Sequence, residues 1–136
     1  MQEEPEYLLD THIAKGLTDA DRAILPLVRD ALIKSHKEGV RQGSQGWWDD
    51  QTGLTAWGYD PRENRTETLI WSGAKDTFVR PAEQEALHRL MPHARLVRDP
   101  EGAHFTTYSP PVMAAVLHWC VTGILPKKWQ AMIVQG

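Results

Sequence analysis

The sequence lacks several features that would assign it to a broad class of proteins. It has a single cysteine, Cys120, which excludes an intrachain disulfide and favours a reducing compartment. Its first seven residues are acidic and contain no apolar core, so they do not resemble a signal peptide. No apolar run approaches the ~20 residues that span a bilayer. We therefore expect a cytoplasmic protein without a membrane partner.

The chain also has little that would suit a nucleic acid or a metal ion. Its net charge is -3 and it has no basic stripe, so we expect no nucleic-acid partner. The histidines other than His104 do not occur in pairs at metal-ligand spacing, and we expect neither a metal nor another cofactor. Repeats and low-complexity linkers are absent from the sequence. A length of 136 residues then predicts a single globular domain.

The first half of the chain contains one clear helical pattern and one irregular stretch. Thr18 or Asp19 can cap a helix whose apolar residues keep helical spacing until near Gly39. Pro26 interrupts this pattern, and we expect the main helix to begin only after it. Residues 41–64 are rich in Gly, Asp and Trp, which predicts a loop with a short helix over residues 47–52.

The second half alternates strand and helix patterns. The strand patterns are short, and the first stops at a glycine, whereas the helix patterns begin at prolines. The predicted elements are a strand at 66–73, a helix at 80–94, a strand at 95–99 and a helix at 110–123. Strands that alternate with helices pair in parallel, so the sequence predicts an α/β fold with a small parallel sheet flanked by helices.

An acidic residue and a histidine follow the two predicted strands. Asp76 lies in the loop after the first strand and His104 in the loop after the second. Because the carboxyl ends of neighbouring parallel strands meet at one edge of a sheet, we expect these side chains to form a hydrogen bond. The carboxylate would then orient the imidazole, which could take a proton from a nucleophile or from water. The alternative is a hydrogen-bonded pair without catalytic activity.

The same segments resemble a known family. "TLIWSGAKDTFVRP", a helix, "MPHARLVRDPEGAHF" and a closing helix are similar to the C-terminal part of the α/β-hydrolases. In that family a Gly-x-x-Asp turn carries the triad acid and the loop after the last strand carries the triad histidine. Gly73 and Asp76 match the first element, and Gly102 and His104 match the second. The resemblance implies a partial α/β-hydrolase fold in which Asp76 and His104 are the catalytic pair.

The resemblance extends from about residue 19 to residue 123 and suggests a division of the single domain 1–136. Residues 1–18 would be an N-terminal extension, 19–58 a helical lid-like segment, 59–123 the strand-helix-strand-helix part, and 124–136 a C-terminal tail. Trp47, Trp48 and Trp57 lie in the lid-like segment and could form an apolar wall of a substrate site. Packing of these rings on the core is the alternative.

The family's nucleophile elbow, Gly-x-Ser-x-Gly at a strand-to-helix turn, is not found in the sequence. Ser35, Ser44 and Ser72 precede the acid and the histidine in the chain, but none lies in that motif, and Cys120 is predicted to be a buried, inert thiol. We expect a hydrolase of a small ester, lactone or similar acyl substrate, in which the Asp-His pair activates water. The alternative is a non-catalytic fragment that acts as a dimerising or complementing half.

The small predicted sheet also bears on oligomeric state. Two or three parallel strands with few helices leave a sheet edge and apolar surface uncovered. Uncovered edges and apolar patches favour association. We therefore expect a homodimer that acts on a small-molecule substrate.

Overall fold

The fold is described from a computed structural model, which covers residues 5–55 and 58–135. Two strands, β1 (Thr68–Gly73) and β2 (Ala94–Asp99), lie among helices and short turns. A π-helical segment occupies Leu8–Ile13, and 3-10 turns occupy Pro61–Glu63 and Phe105–Tyr108. The α-helices of the described ranges are α1 (Pro5–Tyr7), α2 (Ala14–Gly16), α3 (Asp19–Gly39), α4 (Gln45–Thr55), α5 (Pro81–Leu90), α6 (Pro110–Thr122) and α7 (Lys127–Gln130).

The sheet consists of β1 and β2, which pair in parallel as predicted. The register runs from Thr68 opposite Ala94 to Gly73 opposite Asp99. The carboxyl ends of both strands therefore lie at the same end of the sheet, and the loops that follow them start side by side. The mixed α/β class with a small parallel sheet is confirmed.

The two lateral edges of the sheet, one on β1 and one on β2, differ in their hydrogen-bonded partners. The C-terminal tail covers β2, because Val134 N–H donates to the Leu96 carbonyl at 2.8 Å and Val97 forms an antiparallel bridge with Ile133. In the described ranges, only β2 pairs with β1, so the opposite edge of β1 has no strand partner. The C-terminal tail thus extends the pairing on the β2 side of the sheet.

The main core lies between one face of the sheet and helices α6 and α7. Val97 from β2, Val112 from α6 and Trp129 from α7 are buried together there. The ring of Trp71 in β1 packs edge-on against Trp129, with centroids 4.5 Å apart. On the other face, α5 covers the strands. Helices thus pack against the strands whose ends lead into the two loops.

Helix α3 begins as predicted but does not break at Pro26. Thr18 Oγ accepts a hydrogen bond from Asp21 N–H at 3.2 Å, and the Asp21 carboxylate accepts one from Thr18 N–H, which forms a capping box. The predicted separation at Pro26 is wrong, because the helix runs unbroken for 21 residues. Pro26 is exposed, and the lost backbone bond is tolerated because the helix buries Ile33 further along.

Three further local predictions concern the short helix over residues 47–52, the end of α6 and the burial of Cys120. The short helix predicted over residues 47–52 lies within α4, and Gly123 ends α6 in the left-handed conformation with φ of 71°. The prediction of a buried Cys120 is wrong, since this residue is exposed. Helix α6 buries Val112 and Ala115, and Cys120 lies outside the stripe that these positions define.

Candidate functional site

Asp76 is held in a tight turn just after β1. The residue is 7% exposed, and its Oδ1 accepts hydrogen bonds from Phe78 N–H and Val79 N–H, both at 2.9 Å. Its other oxygen, Oδ2, lies 3.2 Å from His104 Nδ1. The predicted hydrogen bond between the two loops is therefore present. The two backbone donors fix the carboxylate, so that Oδ2 is aimed at the imidazole.

Two glycines allow the acid turn and the histidine loop to approach each other. A Cβ on Gly73 would lie 2.6 Å from the carbonyl carbon of Gly102 and 2.7 Å from Ala103 N. A Cβ on Gly102 would lie 2.9 Å from Asp99 Cγ. The backbones also bond directly, because Lys75 N–H donates to the Gly102 carbonyl at 2.9 Å. Glycine is thus required here for close approach of two backbones.

His104 stands between the acid and two aromatic rings. Its side chain is 36% exposed, and its ring centroid lies 5.0 Å from that of Phe78 and 5.4 Å from that of Phe105. An ionised carboxylate only accepts hydrogen bonds, so the Nδ1 that faces Asp76 carries the proton. Nε2 is then the nitrogen that can accept a proton from a ligand or from water.

A third residue, Asp21, positions the histidine loop. This role was not predicted from the sequence. It is completely buried, and its Oδ1 accepts a hydrogen bond from Phe105 N–H at 2.6 Å. Its Oδ2 accepts from Thr18 N–H at 3.2 Å and from Thr18 Oγ at 2.9 Å. The Thr-x-x-Asp pattern signals the helix cap but not the bond to Phe105, which is 84 positions away. Asp21 therefore ties α3 to the residue next to His104.

An apolar cavity of about 350 Å³ adjoins the Asp76–His104 pair. His104 and Phe78 form part of its wall, and the π-helical segment and α3 supply aliphatic side chains such as Leu9, Ile13 and Ile33. Burial within the cavity is uneven, because Leu9 and Ile33 are buried whereas Ile13 is 37% exposed. The cavity can therefore hold an apolar group beside the imidazole.

The N-terminal segment that forms one side of the cavity is held by ion pairs and one loop contact. Arg29 binds Asp10 at 2.7 Å, and this hydrogen bond raises the pKa of the guanidinium. Lys37 binds Glu6 at 2.7 Å, and this hydrogen bond lowers the pKa of the Glu6 carboxyl. Thr77 Oγ, next to Asp76, donates to the Gly16 carbonyl at 2.7 Å. The acid turn and the N-terminal segment are thus joined directly.

Trp47 and Trp48, which were predicted to bind substrate, do not line this cavity. Trp47 and Trp48 are both more than half exposed in α4 and pack edge-on against each other, with centroids 5.1 Å apart. Neither lines the cavity. Trp57 lies outside the described residues. A role of these rings in substrate binding stays a prediction. Of the predicted site residues that the structure describes, Asp76 and His104 are the ones that meet beside the cavity.

The serines do not supply an obvious nucleophile. Ser35 and Ser44 are exposed, whereas Ser72 and Ser109 are buried. Ser72 lies in β1, and its Oγ has no hydrogen-bond partner within the described ranges. Ser109 precedes α6 and makes no side-chain capping bond. Nothing in these positions reproduces a serine on a strand-to-helix turn.

The described part of the chain contains no group of three or more His, Cys, Asp or Glu side chains arranged to hold a metal ion. Across residues 5–55 and 58–135, no helix combines the length and the apolar character needed to cross a bilayer.

Comparison with known proteins gives one short match. No protein-family model matches the chain, and no solved structure does. Over 40 residues, which are 29% of the chain, the sequence is 40% identical to a protein of Pseudomonas savastanoi pv. glycinea named L-allo-isoleucyltransferase. The match spans 14% of the length of that protein. A match of this extent does not establish a family.

Proposed function

We propose that the chain is a hydrolase of a small ester, lactone or similar acyl compound, and that Asp76 and His104 are its catalytic pair. The observation that carries the proposal is the 3.2 Å contact between Asp76 Oδ2 and His104 Nδ1, beside an apolar cavity. In this proposal the fold is a partial α/β-hydrolase fold. The Gly-x-x-Asp turn and the Gly-x-His loop, each following a parallel strand, support that assignment.

The proposed reaction uses water as the nucleophile. His104 Nε2 accepts a proton from a water molecule while the water oxygen bonds to the acyl carbon. Asp76 stabilises the imidazolium that forms. The imidazolium then gives its proton to the leaving oxygen as the carbon–oxygen bond breaks. A positioned general base of this kind contributes a rate factor of about 10²–10⁴.

The short match is to a protein whose name concerns acyl chemistry. The name of the matched protein describes transfer of an isoleucyl group, which is an acyl group. Transfer to water is hydrolysis, and transfer to another acceptor would use the same general base. Hydrolysis is the function proposed here, because the pair needs only water to act.

Two assays of the purified protein test this proposal. It should hydrolyse at least one member of a panel of small p-nitrophenyl esters and lactones. A serine-directed phosphonate should leave the protein unlabelled and active, because no serine lies on an elbow. A protein inactive toward the whole panel would contradict the proposal. Labelling of Ser109 or Ser72 would contradict water activation and show a serine nucleophile.

A second candidate function is a non-catalytic half that dimerises or complements a partner. The observation that favours it is the outer edge of β1, which pairs with no other strand of residues 5–55 and 58–135 and carries no charged residue to block further pairing. Helix α6 adds exposed Leu117 and Val121. Under this alternative the protein would associate but would remain inactive in the ester panel, which separates the two functions.

A further inference from the structure

The lining of the cavity beside His104 is typical of a ligand site. The buried residues Leu9, Ile33 and Phe105 form its floor. The exposed residues His12 and His36 line it as well and mark the side nearer to solvent. An apolar floor under a polar rim suits a ligand with an apolar body and one polar end, because the body leaves water while the polar end stays hydrated.

The wall formed by the N-terminal segment is unusual. Leu8–Ile13 is π-helical, a conformation found in well under 1% of residues and frequently at functional sites. This segment supplies Leu8, Leu9, His12 and Ile13 to the cavity as two pairs of residues four apart. Residues at this spacing share one face of a helix, so a single face of the segment is turned toward the cavity. The π-helical conformation of this wall supports a ligand site independently of the cavity volume.

The volume sets the size of the ligand. An apolar cavity of about 150 Å³ accommodates benzene, which has six carbons. By proportion, the 350 Å³ next to His104 would hold about 14 non-hydrogen atoms at most. An ester group takes a few of these positions, which leaves room for a chain of roughly ten carbons.

We propose that this cavity binds a saturated aliphatic acyl chain of up to about ten carbons, with its carbonyl group at His104. Five of the ten residues that line the cavity are aliphatic side chains of the π-helical segment and α3, and a flexible chain can pack against them. The orientation of the carbonyl rests on the proposed function. Binding of the chain itself does not require catalysis, so the two proposals can fail separately.

Binding of carboxylates to the purified full chain, measured by titration calorimetry, tests the proposal. The series is acetate, hexanoate, octanoate and decanoate, with 1-naphthoate as a flat ring of similar size. Affinity should rise along the series by up to about fourfold per buried methylene. Affinity independent of chain length would overturn the proposal, as would tighter binding of naphthoate than of decanoate.

Two substitutions locate the binding. Ile13→Trp fills the cavity from a partly exposed wall position and should weaken decanoate binding at least tenfold. Val121→Trp places the same ring on α6, at a position that is 85% exposed, and should leave binding unchanged. Equal effects of the two variants would overturn the cavity assignment. If Ile13→Trp does not fold, as judged by circular dichroism, Leu32→Trp replaces it with the same expected loss, because Leu32 is a partly exposed lining residue of α3.

The outcomes separate this inference from the proposed function. Decanoate binding without hydrolysis of any ester or lactone would refute the catalytic role of the pair and leave the acyl site standing. Hydrolysis of short esters without length-dependent carboxylate binding would refute the acyl site and leave the catalytic pair standing.

Discussion

Replacing Asp21 should destabilise the fold and displace the histidine loop at the same time. In Asp21→Ala, the buried Phe105 N–H loses its acceptor at 2.6 Å, and Thr18 N–H loses its partner in the capping box. An orphaned buried donor costs about 1–3 kcal/mol. Loss of the cap contact adds about 1 kcal/mol. The expected decrease in the free energy of unfolding is therefore about 2–4 kcal/mol, a large share of the ~5–15 kcal/mol typical of a domain.

Asp21→Asn should have a smaller effect, which makes the prediction specific. The amide oxygen can still accept from Phe105 N–H, while the amide nitrogen faces Thr18. It cannot accept from Thr18 N–H or from the Thr18 hydroxyl, although it can donate to that hydroxyl. The expected decrease is about 1 kcal/mol. Asp19→Ala is the matched control, because Asp19 is an exposed acid in the same first turn. Its expected effect is about 0.5 kcal/mol or less.

Urea unfolding followed by tryptophan fluorescence measures these differences. The slope with denaturant should stay constant, so that midpoints report stability. Ester hydrolysis provides the second readout, and kcat should fall in Asp21→Ala even where the protein is fully folded, because His104 precedes Phe105. Equal stabilities of the alanine and asparagine variants, or a loss in Asp21→Ala no larger than in Asp19→Ala, would refute the reasoning.

Three further predictions concern the acid, the close backbone approach and the oligomeric state. Asp76→Asn should reduce hydrolysis by at least about 10²-fold with little change in melting temperature, because it alters the imidazole tautomer rather than the packing; unchanged kcat would contradict the pairing. Gly73→Ala should lower unfolding free energy by about 1–3 kcal/mol, because its Cβ would meet Gly102 at 2.6 Å; a neutral effect in urea unfolding would contradict the close contact. Light scattering at micromolar concentration should report a homodimer, and a monomer mass would count against association through the β1 edge.

How much of the structure could be predicted from the sequence depends on how far apart along the chain the interacting residues lie. The strands, their parallel pairing and the Asp76–His104 contact were predictable, because short local patterns and their order along the chain specify them. The Asp21–Phe105 bond joins residues 84 positions apart, and no local pattern encodes it. Pro26 shows the opposite limit, since a local rule predicted a break that packing along α3 overrides.

The cavity next to His104 illustrates a further limit of prediction from sequence. The aromatic richness of residues 41–64 drew attention to Trp47 and Trp48, but aromatic side chains at a helix surface and in a pocket look alike in a sequence. The cavity is assembled from aliphatic and histidine side chains of the N-terminal segment and α3 and from Phe78, His104 and Phe105, which come together only in the folded chain. A π-helical turn likewise has no sequence pattern that distinguishes it from an α-helix.

The catalytic role of His104 is the central claim, and one comparison tests it most directly. The rate of hydrolysis of a single active ester is measured for the wild type, His104→Ala and His93→Ala, with His93 as an exposed histidine away from the pair. Removal of the general base should lower the rate by about 10²–10⁴, to the background of the buffer, whereas His93→Ala should retain the wild-type rate. Equal rates for wild type and His104→Ala would contradict the account.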